Sequence, residues 1–327
     1  MSNIVISKVR LHLKHSFDRI KNEDLKKNML QAIPFWIASI ITGLIAVIYA
    51  RLFLMAEDFT KQIYKNHEWI LFILMPGCFV LAWWLVKRFS PYSRGSGIPQ
   101  VAAAIEITSP KSDQKVNKLL SFKVILMKVL SSLIMAVGGG AIGREGPTIQ
   151  IAASIFRKVN QLLPQWWPKV AKRNMIITGA AAGLAAAFNT PLGGIVFAIE
   201  ELTKTHFSYF KTAIFSSVII AGLTAQGILG PYLYLGYPKM GNLSGFIFLG
   251  VVLVAIISGL LGSGMSKIML ILMQWKSKFQ FARHHVIYVV ICALIMAVIA
   301  IFISDTILGS GKDVMQRVLF TSDKYSV

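Results

Sequence analysis

Long apolar runs, interrupted by glycine and proline more often than by charge, dominate the chain. Ile33 to Ala50, Trp69 to Val86, Asn174 to Ile199, Thr212 to Pro238, Met240 to Ser266 and Val286 to Ser304 contain no Lys, Arg, Asp or Glu. Crossing a bilayer takes about 20 apolar residues, so several of these runs are long enough to span. Reading runs and breakers together predicts spans near 31–56, 67–90, 122–140, 173–188, 212–229, 245–272 and 285–303. Three pieces between them, Ile98 to Thr108, Glu145 to Val159 and Pro191 to Leu202, begin beside Gly or Pro and read as half-length helices. A backbone broken at membrane depth has orphan amides that lipid cannot satisfy, so such breaks persist only inside protein or where they line a site. No alternation strong enough for a membrane barrel is present.

Residues 1–30 read differently. Val9, Leu13, Phe17 and Ile20 recur at helical spacing while Lys8, Arg10, Lys14, Arg19, Lys21, Lys26 and Lys27 fill the other faces. This fits an amphipathic helix near 4–27 lying on an anionic leaflet, with a frayed basic tail as the alternative. The following span is longer than a cleavable signal core, and no small-residue cleavage site follows it. Residues 31–327 then form one membrane domain, with Pro110 to Asn117 a short polar linker.

Composition strengthens the membrane reading, because 55% hydrophobic against 15% charged residues is too apolar to cover a soluble surface of this size. The net charge of +20 would suggest nucleic acid in a soluble protein, but its distribution suggests a bilayer instead. Lys and Arg cluster before residue 30, from Lys87 to Lys128, from Arg157 to Arg173 and from Lys267 to Arg283, whereas Gly230 to Gly245 holds only Lys239. Alternating basic and poor loops are the positive-inside signal, so the N-terminus and the basic loops are expected in the cytoplasm. Cys78 and Cys292 lie far apart in apolar runs and imply neither a disulfide framework nor a thiolate metal site.

Three segments carry the chemistry. Gly95-Ser96-Gly97-Ile98-Pro99 and Gly143-Arg144-Glu145-Gly146-Pro147 share a design in which glycines permit close backbone approach and a helix follows at once. A helix start presents unpaired amides and about half a positive charge, which makes an anion site without a full cation. An ordinary interhelical turn is the plainer reading of the first segment, to which Ser96 adds a hydroxyl donor. In the second, a carboxylate sits beside the glycines Gly138 to Gly140 after an apolar span. An intramembrane charge costs roughly 2.5 to 3.5 kcal/mol even on the lenient insertion scale, which marks Glu145 as functional; a structural pair with Arg144 is the competing reading. A carboxylate at a helix start can take the place of an anion there and leave when protonated, so Glu145 is a candidate gate. The third segment, Phe188 to Glu201, ends in Glu200-Glu201, read either as an interfacial charge pair with Lys204 or as proton-binding groups.

Together these segments resemble the CLC family of chloride channels and chloride/proton antiporters, in which the same motifs occur in the same order. The likeness runs from about residue 30 to 320. It implies an all-α membrane fold, a bundle of tilted and partly broken helices with an inverted repeat. It also implies transport of chloride or similar anions, a homodimer in a plasma (inner) membrane, and no cofactor beyond the transported chloride and protons. By this likeness Ser96, Gly97, Ile98, Gly143, Arg144 and Gly146 would bind anion, Glu145 would be the gating glutamate, and Glu201, with Glu200 beside it, would serve the proton. An acid at Glu201 favours exchange over a channel, and Ser96 favours chloride over nitrate.

Two departures stand against that pattern. Gln100 follows Pro99 where Glu is common, and neither the family's second-half G-x-F-x-P segment nor its late anion-coordinating Tyr occurs before Val327. The repeat is therefore expected to be incomplete, ending soon after a helix near Val314. A channel without proton coupling and a non-conducting fragment or structural subunit remain the alternatives. Enzymatic readings are weaker: Ser263 with His284 and His285 matches no protease arrangement, and Gly309-Ser310-Gly311-Lys312 lacks the first Gly and the final Ser or Thr of a phosphate loop.

Overall fold

The computed structural model describes residues 23–109, 112–168, 170–202, 211–230 and 245–320. Regular structure among them is entirely helical: α1 (Glu23–His67), α2 (Leu71–Phe89), α3 (Ile98–Ile107), α4 (Asp113–Leu119), α5 (Phe122–Val137), α6 (Glu145–Leu162), α7 (Lys172–Phe188), α8 (Pro191–Phe197), α9 (Lys211–Leu229), α10 (Ile247–Ser277), α11 (Ala282–Phe302) and α12 (Lys312–Phe320). Five helical stretches, Lys27–Phe89, Asp113–Val137, Thr212–Leu229, Ile247–Ser277 and Ala282–Phe302, are long and apolar enough to cross a membrane. The amphipathic segment expected near 4–27 lies almost wholly outside the described residues.

One expectation about the spans needs correction. The first helix does not stop near residue 56 but runs on to His67, through Glu57, Asp58 and Lys61. Tertiary partners hold that charged extension: Glu57 is 6% exposed and accepts from the Ser310 amide at 2.7 Å, and Lys61 pairs with Asp313. The segment near 173–188 is helical, as expected, and other helices of the chain enclose it. Twelve of the 17 residues of α7 are buried, and α1, α3, α6, α8 and α9 all pack on it. Its stretch from Gly179 to Ala187, alanine and glycine but for Leu184, gains most from close neighbours.

The fit against α6 is tight enough to require glycine. A Cβ on Gly183 would lie 2.6 Å from Ala152 Cβ and 2.9 Å from the Thr148 carbonyl, and one on Gly179 would lie 2.9 Å from Phe156. The apolar core continues through Ile149, Ala153, Ile176, Ile177, Ile214 and Val218. A second cluster joins α2 to α11 through Leu71, Met75, Phe79, Ala293 and Ala297. In contrast, α10 buries none of its residues.

Part of an internal repeat is visible. Pro91–Ser93 forms a 3₁₀ turn, Gly95 and Gly97 follow with φ of 70° and 110°, and α3 begins. Asp305–Ile307 forms another 3₁₀ turn, Gly309 and Gly311 follow with φ of 83° and 75°, and α12 begins. Both Gly-Ser-Gly units place their glycines in left-handed backbone that other residues rarely adopt.

Candidate functional site

Lys128 fixes the loop that leads into α3. It projects from the apolar interior of α5, is 2% exposed, and donates to the carbonyls of Ser93 at 2.7 Å and Gly95 at 2.8 Å. Gln150 of α6 donates to the Tyr92 carbonyl at 3.2 Å and to the Leu119 carbonyl at 3.0 Å. Gln100, the residue that departs from the family pattern, donates its amide to the Arg94 carbonyl at 2.6 Å. An ionised glutamate is acceptor-only and could not make that bond. At the helix start itself, Ser96 Oγ accepts from the Ile98 amide at 3.4 Å.

The loop into α6 brings a carboxylate to a helix start. Glu145 is the first residue of α6, and its side chain folds back over Gly143, so closely that a Cβ on Gly143 would overlap the carboxylate. Thr148 closes the first turn, its amide and its hydroxyl both reaching the Arg144 carbonyl, at 3.0 and 2.8 Å.

The two starts touch. A Cβ on Gly146 would lie 2.8 Å from the Ser96 carbonyl oxygen and 2.9 Å from Ser96 Cβ. A Cβ on Gly97 would lie 2.8 Å from Gln150 Cβ and 3.0 Å from the Gly146 carbonyl. Ser96, Gly97 and Ile98 from one break therefore meet Gly146 from the other, with Gly143, Arg144 and Glu145 immediately beside them. Residues some 50 positions apart in the chain come together only because both helices begin with residues that have no side chain in the way.

Arg144 is buried beside Glu145. It is 8% exposed, and its Nη1 has no hydrogen-bond partner. Its charge is felt at Lys312 on α12, whose ammonium is held below its ordinary pKa first by burial and then by Arg144. Tyr49 of α1 also lies within electrostatic range of Glu145 and Arg144; it is 2% exposed, and its hydroxyl pairs with Ser132 at 2.7 Å.

Glu200 and Glu201 are not drawn into this junction. They lie in a π-helical turn, Ala198–Leu202, that continues α8, and both are exposed. The described residues do not supply the desolvation that the proton-binding reading of this pair invokes. At the other end of α8, Thr190 Oγ1 caps the helix by accepting from the Gly193 amide at 3.3 Å. Among the described residues no group of three or more His, Cys, Asp or Glu is arranged to hold a metal.

Sequence reasoning missed Lys128, Gln150 and Tyr49. A signal existed for Lys128, a lone cation within the apolar run of α5; none distinguished Gln150 or Tyr49 from other polar residues.

The model of the voltage gated chloride channel family matches residues 77–326. The chain belongs to that family. Among curated relatives, the H(+)/Cl(-) exchange transporter ClcA of Citrobacter koseri is 28% identical over 242 residues, covering 68% of this chain and 49% of that protein. The transporter of the same name from Klebsiella pneumoniae subsp. pneumoniae is 28% identical over 246 residues, covering 70% and 50%. The chain thus spans about half the length of the curated relatives it matches. Among solved structures, a slow cyanobacterial Cl-/H+ antiporter superposes with a TM-score of 0.77 at 21% identity, covering 90% of this chain and 69% of that one. A CLC-type fluoride/proton antiporter gives 0.75 at 19%, covering 94% and 73%. The likeness to these two establishes the all-helical CLC fold.

Proposed function

We propose that this chain carries anion transport, as chloride/proton antiport in which Glu145 is the gate. The observation that supports it most is the meeting of two broken helices at Ser96 and Gly146 with the Glu145 carboxylate folded onto its own helix start. Amides at a helix start favour negative charge, so a carboxylate and a halide compete for one position. Protonation neutralises the carboxyl and frees the position for the anion; anion departure allows the carboxylate to return and release its proton. One side chain then alternates between proton carrier and plug, and the two fluxes become linked.

The curated relatives are named as proton/chloride exchangers, which favours chloride as the anion. In this reading Ser96, Gly97, Ile98, Gly143, Arg144 and Gly146 surround the anion path, and Glu201 with Glu200 passes protons on the other side. The N-terminus faces the cytoplasm of a plasma (inner) membrane, and two copies form a dimer. The exposure of Glu200 and Glu201 favours a second reading, conduction of chloride without proton coupling.

The test is Glu145→Gln in proteoliposomes, with chloride and proton fluxes recorded together. Chloride flux should persist, lose its pH dependence and carry no proton. Retained coupling in Glu145→Gln refutes the gate. In the unsubstituted protein, chloride flux with no proton movement supports the channel, and absence of both refutes transport by this chain.

A further inference from the structure

A cavity of about 560 Å³, lined by none of the residues of the helix-start junction, lies where α2 ends and α5 begins. Its walls come from the end of α2 and the turn after it, from α4, from the start of α5 and from the second half of α6. The cations Lys118, Lys123, Arg157 and Lys158 line it, and no carboxylate does. Arg157 is 5% exposed and already committed, to the Asn117 side chain at 2.8 Å, the Leu120 carbonyl at 2.9 Å and the Asp113 carboxylate at 3.2 Å. The three lysines are exposed, and among the described residues none has an ion-pair partner. Three uncompensated ammonium groups around one concavity repel one another, and an anion relieves that repulsion.

The remaining lining fixes the class of anion. Phe89 is 40% exposed, Tyr92 46% and Phe122 68%, and all three border the cavity. Phe89 closes one apolar helix and Phe122 opens another, so the rings lie where hydrocarbon gives way to water. Rings and lysines at that depth match an amphiphile with a phosphate head: the ammonium groups meet the phosphate, and the aromatic faces meet the glycerol and the first acyl carbons. The volume falls within the range of small-molecule sites.

We propose that this cavity binds the headgroup of an anionic phospholipid, with Lys118, Lys123 and Lys158 on the phosphate and Phe89, Tyr92 and Phe122 against its apolar neck. This goes beyond the transport reading and does not depend on it. The cavity adjoins the Ser96 loop, because Tyr92 borders it and the Tyr92 carbonyl is the one Gln150 holds. Lipid occupancy thereby steadies the loop.

The experiment is a binding titration on the detergent-purified chain with dioctanoyl phosphatidylglycerol, dioctanoyl phosphatidylcholine and inorganic phosphate as probes, read by thermal unfolding midpoint and by native mass spectrometry. Phosphatidylglycerol should bind and raise the midpoint, phosphatidylcholine should do neither, and the effect should fade with salt. Joint Lys118→Gln, Lys123→Gln and Lys158→Gln substitution should weaken phosphatidylglycerol binding about a hundredfold, from the contribution of each surface cation. The matching Lys→Arg triple should keep it; should the glutamine triple fail to fold, Lys123→Gln and Lys158→Gln singly must each weaken binding. Equal binding of the two lipids, unaltered binding by the substituted proteins, or displacement of phosphatidylglycerol by millimolar phosphate overturns the assignment, the last in favour of a free-phosphate site.

Discussion

Gly146→Ala tests the junction of the two helix starts with a single methyl group. The new Cβ would sit 2.8 Å from the Ser96 carbonyl oxygen, 2.9 Å from Ser96 Cβ and 3.2 Å from the Ser96 carbonyl carbon. Ordinary carbon contacts lie at about 3.5 to 4.0 Å, so the loops must separate by somewhat under 1 Å. The atoms in the way are mostly backbone, and that backbone is held by Lys128 through the Gly95 carbonyl, which leaves it little room to retreat. Overpacking of this kind costs about 1 to 3 kcal/mol. Misplacement of positioning groups by about 1 Å costs up to a hundredfold in reaction rate, and a fall of that order is the upper bound for anion flux here.

The control is Gly77→Ala in α2, where a Cβ meets nothing within 4 Å. Alanine is the better helix former by about 1 kcal/mol, so this substitution should leave flux intact and stability equal or higher. Chloride efflux from proteoliposomes and the unfolding midpoint in detergent measure both. A Gly146→Ala protein with unchanged flux and midpoint would refute contact at this junction, and equal damage from Gly77→Ala would show that the assay reports glycine loss in general.

Two further substitutions probe the scaffold around the site. Lys128→Met removes the charged donor from the Ser93 and Gly95 carbonyls, each bond worth about 1.5 to 3 kcal/mol, while keeping much of the volume. Amides 94 to 98 should exchange hydrogen faster and flux should fall, and unchanged exchange there would contradict the clamp. Arg157→Ala removes the charged donor from the Asn117 side chain and the Leu120 carbonyl, while Asp113 keeps Lys172, and should destabilise by about 1.5 to 3 kcal/mol, read as a lower unfolding midpoint; a drop of under about 0.5 kcal/mol would mean that the α4 to α6 contact rests on other groups.

The half-helices at Ile98, Glu145 and Pro191 were legible because Gly and Pro act locally: they break or start a helix whatever surrounds them. The observed α6 is nonetheless three residues longer than the expected piece, reaching Leu162. The overrun of α1 was not legible, since Glu57 and Lys61 end an apolar run by any local rule, and their partners Ser310 and Asp313 lie about 250 residues away. The burial of α7 escaped for a related reason. Its Gly and Ala residues give a periodic pattern on several faces at once, and only the presence of five neighbouring helices shows that each face is used. For the candidate site, the two glycine-flanked breaks could be read singly, but their contact depends on Gly97 and Gly146 facing each other, a relation between distant segments.

The crowding of α7 has a consequence for how the molecule is made. From Gly179 to Ala187 every residue but Leu184 is alanine or glycine, so this stretch offers little apolar area to hydrocarbon, and its two grooves at Gly179 and Gly183 are shaped to receive Phe156 and Ala152. During membrane insertion that stretch therefore gains more from docking on α6 than from contact with acyl chains. Until α6 arrives beside it, the faces that carry Gly179 and Gly183 have nothing to fill them, and the two helices form one unit of assembly.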